Sequence, residues 1–181
     1  MNQPMIFRDA QESDLAGIVT IYNATIPGRS VTADLEPVTV DSRLAWFHAH
    51  DAKRRPLWVA ENDDGTMAGW LSLSDFYGRP AYAASVEVSI YLAEAARGRG
   101  LGRLFLRRAI DRAPDYGVKT LLGFIFGHNA ASLALFDRFG FRRWGELPRV
   151  ASLDGVERDL IIVGLRVDDA LPGHAAHGRA S

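Results

Sequence analysis

Apolar and polar side chains alternate strictly from Ser85 to Leu92, which predicts a strand with Val86, Val88, Ile90 and Leu92 on one side and Ser85, Glu87, Ser89 and Tyr91 on the other. Met5 to Ala10 reads as a short strand before it. Residues 13–26 carry apolar positions at helical spacing with Ser13 as cap, and residues 40–50 (VDSRLAWFHAH) suggest a second helix capped by Asp41 or Ser42. Two strand-like runs, PLWVAEN and TMAGWLSLSDF, flank the hairpin signal DDG. An amphipathic basic helix begins near Gly100 and is stopped by Pro114. KTLLGFIFG reads as a buried strand, and NAASLALFDRFG as a short helix with Asn129 as cap and Gly140 as stop. Two last strands surround the turn LDG, and periodicity is lost from Asp168 onward. The expectation is one mixed α/β domain over residues 5–167 and a loose tail over 168–181.

Composition narrows what this chain does. The 181 residues, 48% hydrophobic, suffice for one core, and a net charge of −1 gives no global field for nucleic acid or anionic membrane. The absence of cysteine excludes disulfides, thiolate metal sites and a cysteine nucleophile. The first residues lack a signal-peptide pattern and no apolar run approaches the ~20 residues of a membrane span, so a cytoplasmic setting is expected.

Two features ask for a chemical explanation. Glu87 is a carboxylate in mid-strand, so it is either solvated on an exposed face or lines a functional cleft. After that strand comes ARGRGLG, where Arg97 and Arg99 interleave with Gly98, Gly100 and Gly102 just ahead of Leu101 and the helix. Free N–H groups and the dipole at a helix start, with glycines that let phosphate oxygens approach, make an anion cradle, and the arginines add fork-shaped donors. Neither the dinucleotide fingerprint nor the P-loop spacing is present; the other reading is a glycine-rich turn with solvated arginines.

The spacing Arg97-x-x-Gly100-x-Gly102 between such a strand and such a helix resembles the coenzyme A loop of the GNAT N-acetyltransferases. A second match lies downstream, where Asn129-x-x-Ser132 is followed by Gly140-Phe141. Within that superfamily VEVSIYL, IYNATI, LDGVERD and FYGRPAYAASVE resemble the phosphinothricin and methionine sulfone or sulfoximine acetyltransferase group. The resemblance implies a mostly antiparallel sheet of six to seven strands flanked by about four helices and splayed at a central parallel pair to admit coenzyme A. It implies acetyl-CoA as cosubstrate, the pantetheine arm along Ile90, Tyr91 and Leu92, the pyrophosphate on Arg97 to Gly102, and Asn129 and Ser132 beside the cofactor. Helix capping is the other reading of the last two and is compatible with their touching the cofactor. Glu87 falls on the general-base position. The hydroxyl or histidine that many relatives place seven residues after the asparagine is Phe136 here, which leaves the general acid unassigned, with Tyr91 as a substitute on the Glu87 face.

The reaction so implied is acetyl transfer to the amine of a small molecule, an amino acid or its phosphinic, sulfone or sulfoximine analogue, by direct attack in a ternary complex. Acetylation of a protein N-terminus or a polyamine, and a silent acyl-CoA sensor, stand as alternatives. Arg79 and Tyr82 are expected to bind the acceptor's acidic group, with a solvated loop as the other reading of Arg79; Arg149 is a weaker choice of the same kind. The tryptophans at 46, 58, 70 and 144 read as core or pocket wall, and the arginines at 103, 107, 108 and 112 as a solvated helix face. His48, His50, His128, His174 and His177 form no metal-ligand pattern, so no metal is expected. A homodimer is carried over from the relatives.

Overall fold

Hydrophobic alternation and helical spacing become, in the computed structural model, a sheet with helices on both faces; it describes residues 5–168, so the tail from 169, with His174 and His177, lies outside the described residues. The chain runs β1 (Ile6–Asp9), α1 (Leu15–Asn23), α2 (Val40–His48), β2 (Leu57–Glu61), β3 (Met67–Asp75), β4 (Ser85–Leu92), α3 (Leu101–Arg112), β5 (Thr120–Phe126), α4 (Ala130–Arg138), β6 (Arg142–Leu153) and β7 (Val156–Arg166). Strand order in the seven-stranded sheet is β1-β2-β3-β4-β5-β7-β6. Every pairing is antiparallel except β4 with β5.

That one parallel seam is short. Only Ser85, Val86 and Glu87 register with Thr120, Leu121 and Leu122. Beyond it β4 stays with β3 up to Leu92 opposite Gly69, and β5 stays with β7 up to Phe126 opposite Leu160. The two central strands therefore part at Glu87. The facing edges of Val88 to Leu92 and of Gly123 to Phe126 are left without a ladder partner, among the described residues.

Side-chain direction divides the core into two layers. Val86 and Val88 pack with Leu101, Phe105, Leu106, Phe136 and Phe141 beneath α3 and α4. Ile18, Ile21, Leu57, Val59 and Trp70 form the other layer beneath α1. Phe105 is fully buried and meets Phe7 edge to face at 5.1 Å, a geometry aromatic pairs favour.

Helix entries differ from expectation in two places. Ser13 does not cap α1: it sits inside a 3-10 turn, Glu12–Asp14, and the entry is held by the Asp14 carboxylate, which accepts from the Gln11 amide (2.7 Å) and from both Arg8 terminal nitrogens (2.7 and 2.8 Å). Arg8 also pairs with Glu61, tying β1, β2 and α1 together. The cap of α2 is Thr39, whose hydroxyl accepts from the Ser42 amide at 3.2 Å, because Val40 is already helical and the cap slot falls two residues before Asp41. Arg108 also departs from the solvated-face reading. Its guanidinium lies 4.8 Å over the Trp58 ring, while Arg103, Arg107 and Arg112 are exposed. Trp144 is half-exposed rather than core, its indole lying where a Cβ on Gly164 would fall. Among the described residues no helix is long and apolar enough to cross a membrane.

Candidate active site

Where β4 and β5 part, Glu87 projects into a cavity of about 200 Å³ between β3, β4 and the helices α1 and α2. The strand supplies Glu87, Ser89 and Tyr91 from its polar face, and β3 supplies Trp70, Ser72 and Ser74 from the matching register positions. Ile18, Val19 and Tyr22 of α1 and Arg43 and Trp46 of α2 close the other side. Of the two readings for a mid-strand carboxylate, the structure places Glu87 in the cleft. Burial pushes its carboxyl above the ordinary carboxylate range, opposed by the Ser89 hydroxyl, which donates to it at 3.4 Å. A carboxylate in that state is a better proton acceptor than a solvated one.

The aromatic wall is continuous. Tyr91 stacks on Trp70 at 4.4 Å, Tyr22 lies 5.0 Å from Tyr91, and Trp46 meets Trp70 edge-on at 5.5 Å. Arg43 lies 4.8 Å over the Tyr22 ring and donates to Asp34 at 2.7 Å; the Tyr22 hydroxyl donates to Asp34 and meets Thr32, each at 2.5 Å. Burial first, and then Asp34, push the Tyr22 hydroxyl upward; burial likewise raises Tyr91, so both are neutral donors at ordinary pH. The cavity thus brings together one carboxylate, one guanidinium and a ring of hydroxyls on apolar walls. Such a surface suits a small zwitterion with an apolar body.

On the opposite side of β4 lies the glycine loop. Gly98 and Gly100 hold φ of 72° and 88°, a left-handed backbone that strains any residue with a Cβ, so the turn into α3 depends on them. Gly102 is needed for a different reason: a Cβ there would come within 3.2 Å of Leu135, where α3 meets α4. Leu101 is buried as an anchor, while Arg97 and Arg99 are exposed beside the loop. Ile90 and Leu92 direct their side chains to the α3 layer, which leaves their backbone on the open edge of the splay.

Other residues singled out from sequence take different places. Arg79 and Tyr82 lie in the β3–β4 connection, outside the cavity lining; Tyr82 is exposed and packs with Phe76 and Tyr77. Arg149 is on the exposed β6 strand with φ of 52° and pairs with Glu157. Asn129 caps α4 by accepting from the Ser132 amide (3.1 Å) and donates to the Ser30 carbonyl (2.9 Å), so its amide is engaged within the protein. Phe136 is a core residue, 4.8 Å edge-on to Phe141 and so near Gly123 that a Cβ there would approach it to 2.9 Å. His48 faces Glu12 and His128 contacts the Arg29 carbonyl. Trp46, read from sequence as core or pocket wall, lines the cavity, whereas sequence reasoning passed over Arg43, although 43, 46 and 47 mark one face of α2 at helical spacing.

Comparison with known proteins adds a further layer. Residues 17–141 match the family described as the acetyltransferase (GNAT) family. The Bacillus subtilis protein YwnH, whose assignment as a phosphinothricin acetyltransferase is provisional, is 50% identical over 160 residues, 88% of this chain and 98% of that one. An L-methionine sulfoximine/L-methionine sulfone acetyltransferase of Pseudomonas aeruginosa is 34% identical over 89% of this chain and 94% of its own. The crystal structure of a GNAT superfamily phosphinothricin acetyltransferase from Sinorhizobium meliloti in complex with acetyl-CoA superposes with a TM-score of 0.84 at 28% identity, covering 90% of this chain and 88% of that one.

Proposed function

This chain belongs to the GNAT acetyltransferase family, and from that premise we propose that it transfers the acetyl group of acetyl-CoA to the amine of a free amino acid or a phosphinic, sulfone or sulfoximine analogue. The observation that carries the reading is Glu87, a burial-raised carboxylate at the point where β4 and β5 part, facing a half-open cavity on one side and an open strand edge beside it. At about 200 Å³ the cavity is below the roughly 300–1,000 Å³ of sites for drug-sized ligands and favours one small molecule over a polypeptide. Residues 5–167 are proposed as one acetyltransferase domain.

The residues on the other face of β4 fit the cosubstrate. Bare backbone at Gly98 and Gly100, the start of α3 and the exposed Arg97 and Arg99 suit a pyrophosphate, with Leu101 and Gly102 fixing the loop against the core. The open edge at Ile90, Tyr91 and Leu92 would hold the pantetheine amides, and Asn129 and Ser132 would flank it from α4. Acetyl-CoA supplies the activated acyl carbon. Glu87 takes one proton from the acceptor's ammonium, since only the free amine has a lone pair to attack. As the nitrogen–carbon bond forms the carbon–sulfur bond breaks, and the second amine proton balances the departing thiolate. Phe136 has no proton to give, and a thiol with pKa near 8.5 leaves without a dedicated acid. Arg43, already oriented by Asp34 and the Tyr22 ring, presents its charge to the acceptor's acidic group.

Two wider expectations belong to the same reading. A homodimer is favoured by Trp144, Leu147 and Val150, all exposed on the edge strand β6, and a cytoplasmic setting matches its soluble substrates. The test is release of free thiol from acetyl-CoA by the purified protein with phosphinothricin, methionine sulfone, methionine sulfoximine, the common amino acids and polyamines. Saturable release with one of the amino-acid class supports the reading. Silence across the panel with retained acetyl-CoA binding would move the weight to a sensor.

A further inference from the structure

His50 lies two residues past the end of α2, outside the cavity lining and behind Ser74, which is part of that lining. Its Nδ1 is 2.9 Å from the Trp46 carbonyl, which can only accept, so that nitrogen carries a proton and Nε2 is left as the acceptor. Nε2 faces the Ser74 hydroxyl at 3.4 Å. Ser74 is the register partner of Glu87 across the β3–β4 ladder, and both line the cavity. Directly opposed residues of an antiparallel pair have Cβ atoms about 4.5–5.5 Å apart on one face, a span that one hydroxyl or one water bridges. We propose that His50 is the proton exit of the acetyl-transfer site: the proton that Glu87 takes from the acceptor's ammonium passes through the Ser74 hydroxyl to His50 Nε2 and from there to solvent.

The step balances. Glu87 gives up the proton it gained and returns to carboxylate, Ser74 accepts one proton as it passes on its own, and His50 becomes a cation until solvent takes the charge. His50 is half-buried at the end of its helix, between the cavity and the surface. Its environment keeps it a neutral acceptor, since burial lowers its pKa while burial raises that of Glu87, so the two ends of the path move toward each other. The charged groups nearby are otherwise engaged. Asp75, next to Ser74, is held by Arg54 and Arg55; Asp51, next in the chain, accepts from the Lys53 amide; Arg43 on α2 is paired with Asp34. His50 acts through Glu87 and is a positioning and relay residue rather than one that touches substrate.

The inference rests on the acetyltransferase reading, and two arms keep their failures apart. In the first, His50→Asn keeps a donor for the Trp46 carbonyl but removes the base. Turnover at saturating substrates should fall about tenfold near neutral pH, with both KM values within about twofold, and added imidazole should restore it saturably in His50→Asn but not in Glu87→Gln. An active parent whose His50→Asn variant keeps its turnover and pH profile, or loses turnover with no response to imidazole, overturns the relay. A silent parent overturns the acetyltransferase reading instead. The second arm needs no turnover: titration of the His50 ring by NMR should move to lower pH in Glu87→Gln, because a negative charge that favours the imidazolium is gone. A His50 titration unchanged by Glu87→Gln overturns the coupling on which the relay depends.

Discussion

The two faces of β4 are built from the same eight residues and do opposite work. Val86 and Val88, with 0% and 4% of their surface exposed, close onto α3 and leave no room for a ligand. Glu87, Ser89 and Tyr91 face a cavity lined by polar atoms from two strands and two helices. The difference teaches how a strand can hold a costly carboxylate. The apolar face fixes the backbone in place, and the other face can then keep a half-desolvated acid at a defined position. Stability and chemistry are separated by the two-residue period of the strand.

The largest effect expected from breaking this division is on the apolar side. Phe105→Ala should lower unfolding free energy by about 3–5 kcal/mol through lost burial and a cavity beneath β4, while acetyl transfer per folded molecule stays within about threefold. Denaturant unfolding alongside active-site titration checks it, and an equal loss of chemistry would mean the faces are not independent. On the cavity side, Glu87→Gln should cut turnover on the order of a hundredfold with little change in acetyl-CoA affinity, as the proposed base for the acceptor's proton requires. Because burial raises its carboxyl, the acid limb of the parent's kcat/KM profile should fall at a pH above the ordinary carboxylate value of about 4.3 and vanish in Glu87→Gln.

How far this division could be read in the chain depends on whether a residue's neighbours are near in sequence. Strict alternation in SVEVSIYL put Glu87 and Val88 on opposite sides, and glycines at 98 and 100 announced a turn that only they can make. Asn129 as the α4 cap was equally local, since its partner amide is three residues away. Arg79 and Tyr82 attracted interest because they precede β4, but Arg79 caps and Tyr82 ends a 3-10 turn in the β3–β4 connection, outside the cavity lining. Arg43 and Trp46 reach the site from α2, and His50 stands just past its end, some forty residues upstream of Glu87; helical spacing puts 43 and 46 on one face, but only tertiary packing sets that face against β4. Thr39 was missed as a cap because the first helical residue, Val40, is β-branched and gives no helix signal of its own.

Smaller effects sharpen the comparison within the cavity face. Arg43→Met preserves much of the side-chain length but removes the charge. It should raise the acceptor's KM about tenfold and leave that of acetyl-CoA unchanged, measured by varying each substrate in turn. The smallest expectation is a gain. A carboxyl whose folded pKa is raised stabilises the protein below its unfolded pKa and loses that contribution as pH rises through the folded value, so at neutral pH the charged Glu87 is a cost. Glu87→Gln should accordingly raise Tm at pH 7 by on the order of 2 °C, with the gain shrinking toward pH 4; a lower Tm at pH 7 would show that the charged carboxylate is a net support.

The short seam between β4 and β5 has a bearing on how the molecule comes apart. Three register pairs join two blocks, one sewn by the β1–β2–β3–β4 meander and the other by β5 with the long β6–β7 hairpin. Each block has its own antiparallel ladders, and apart from the seam they are held by a shared core beneath α3 and α4 and by ties such as the Arg29–Asp154 ion pair and Asn129 to Ser30, which span 125 and 99 residues of chain. Amide exchange should therefore resolve two cooperative units that meet at Glu87. A ligand that completed the missing ladder between them would act as an eighth strand, and its departure would return the sheet to two halves joined by one short seam and a shared core.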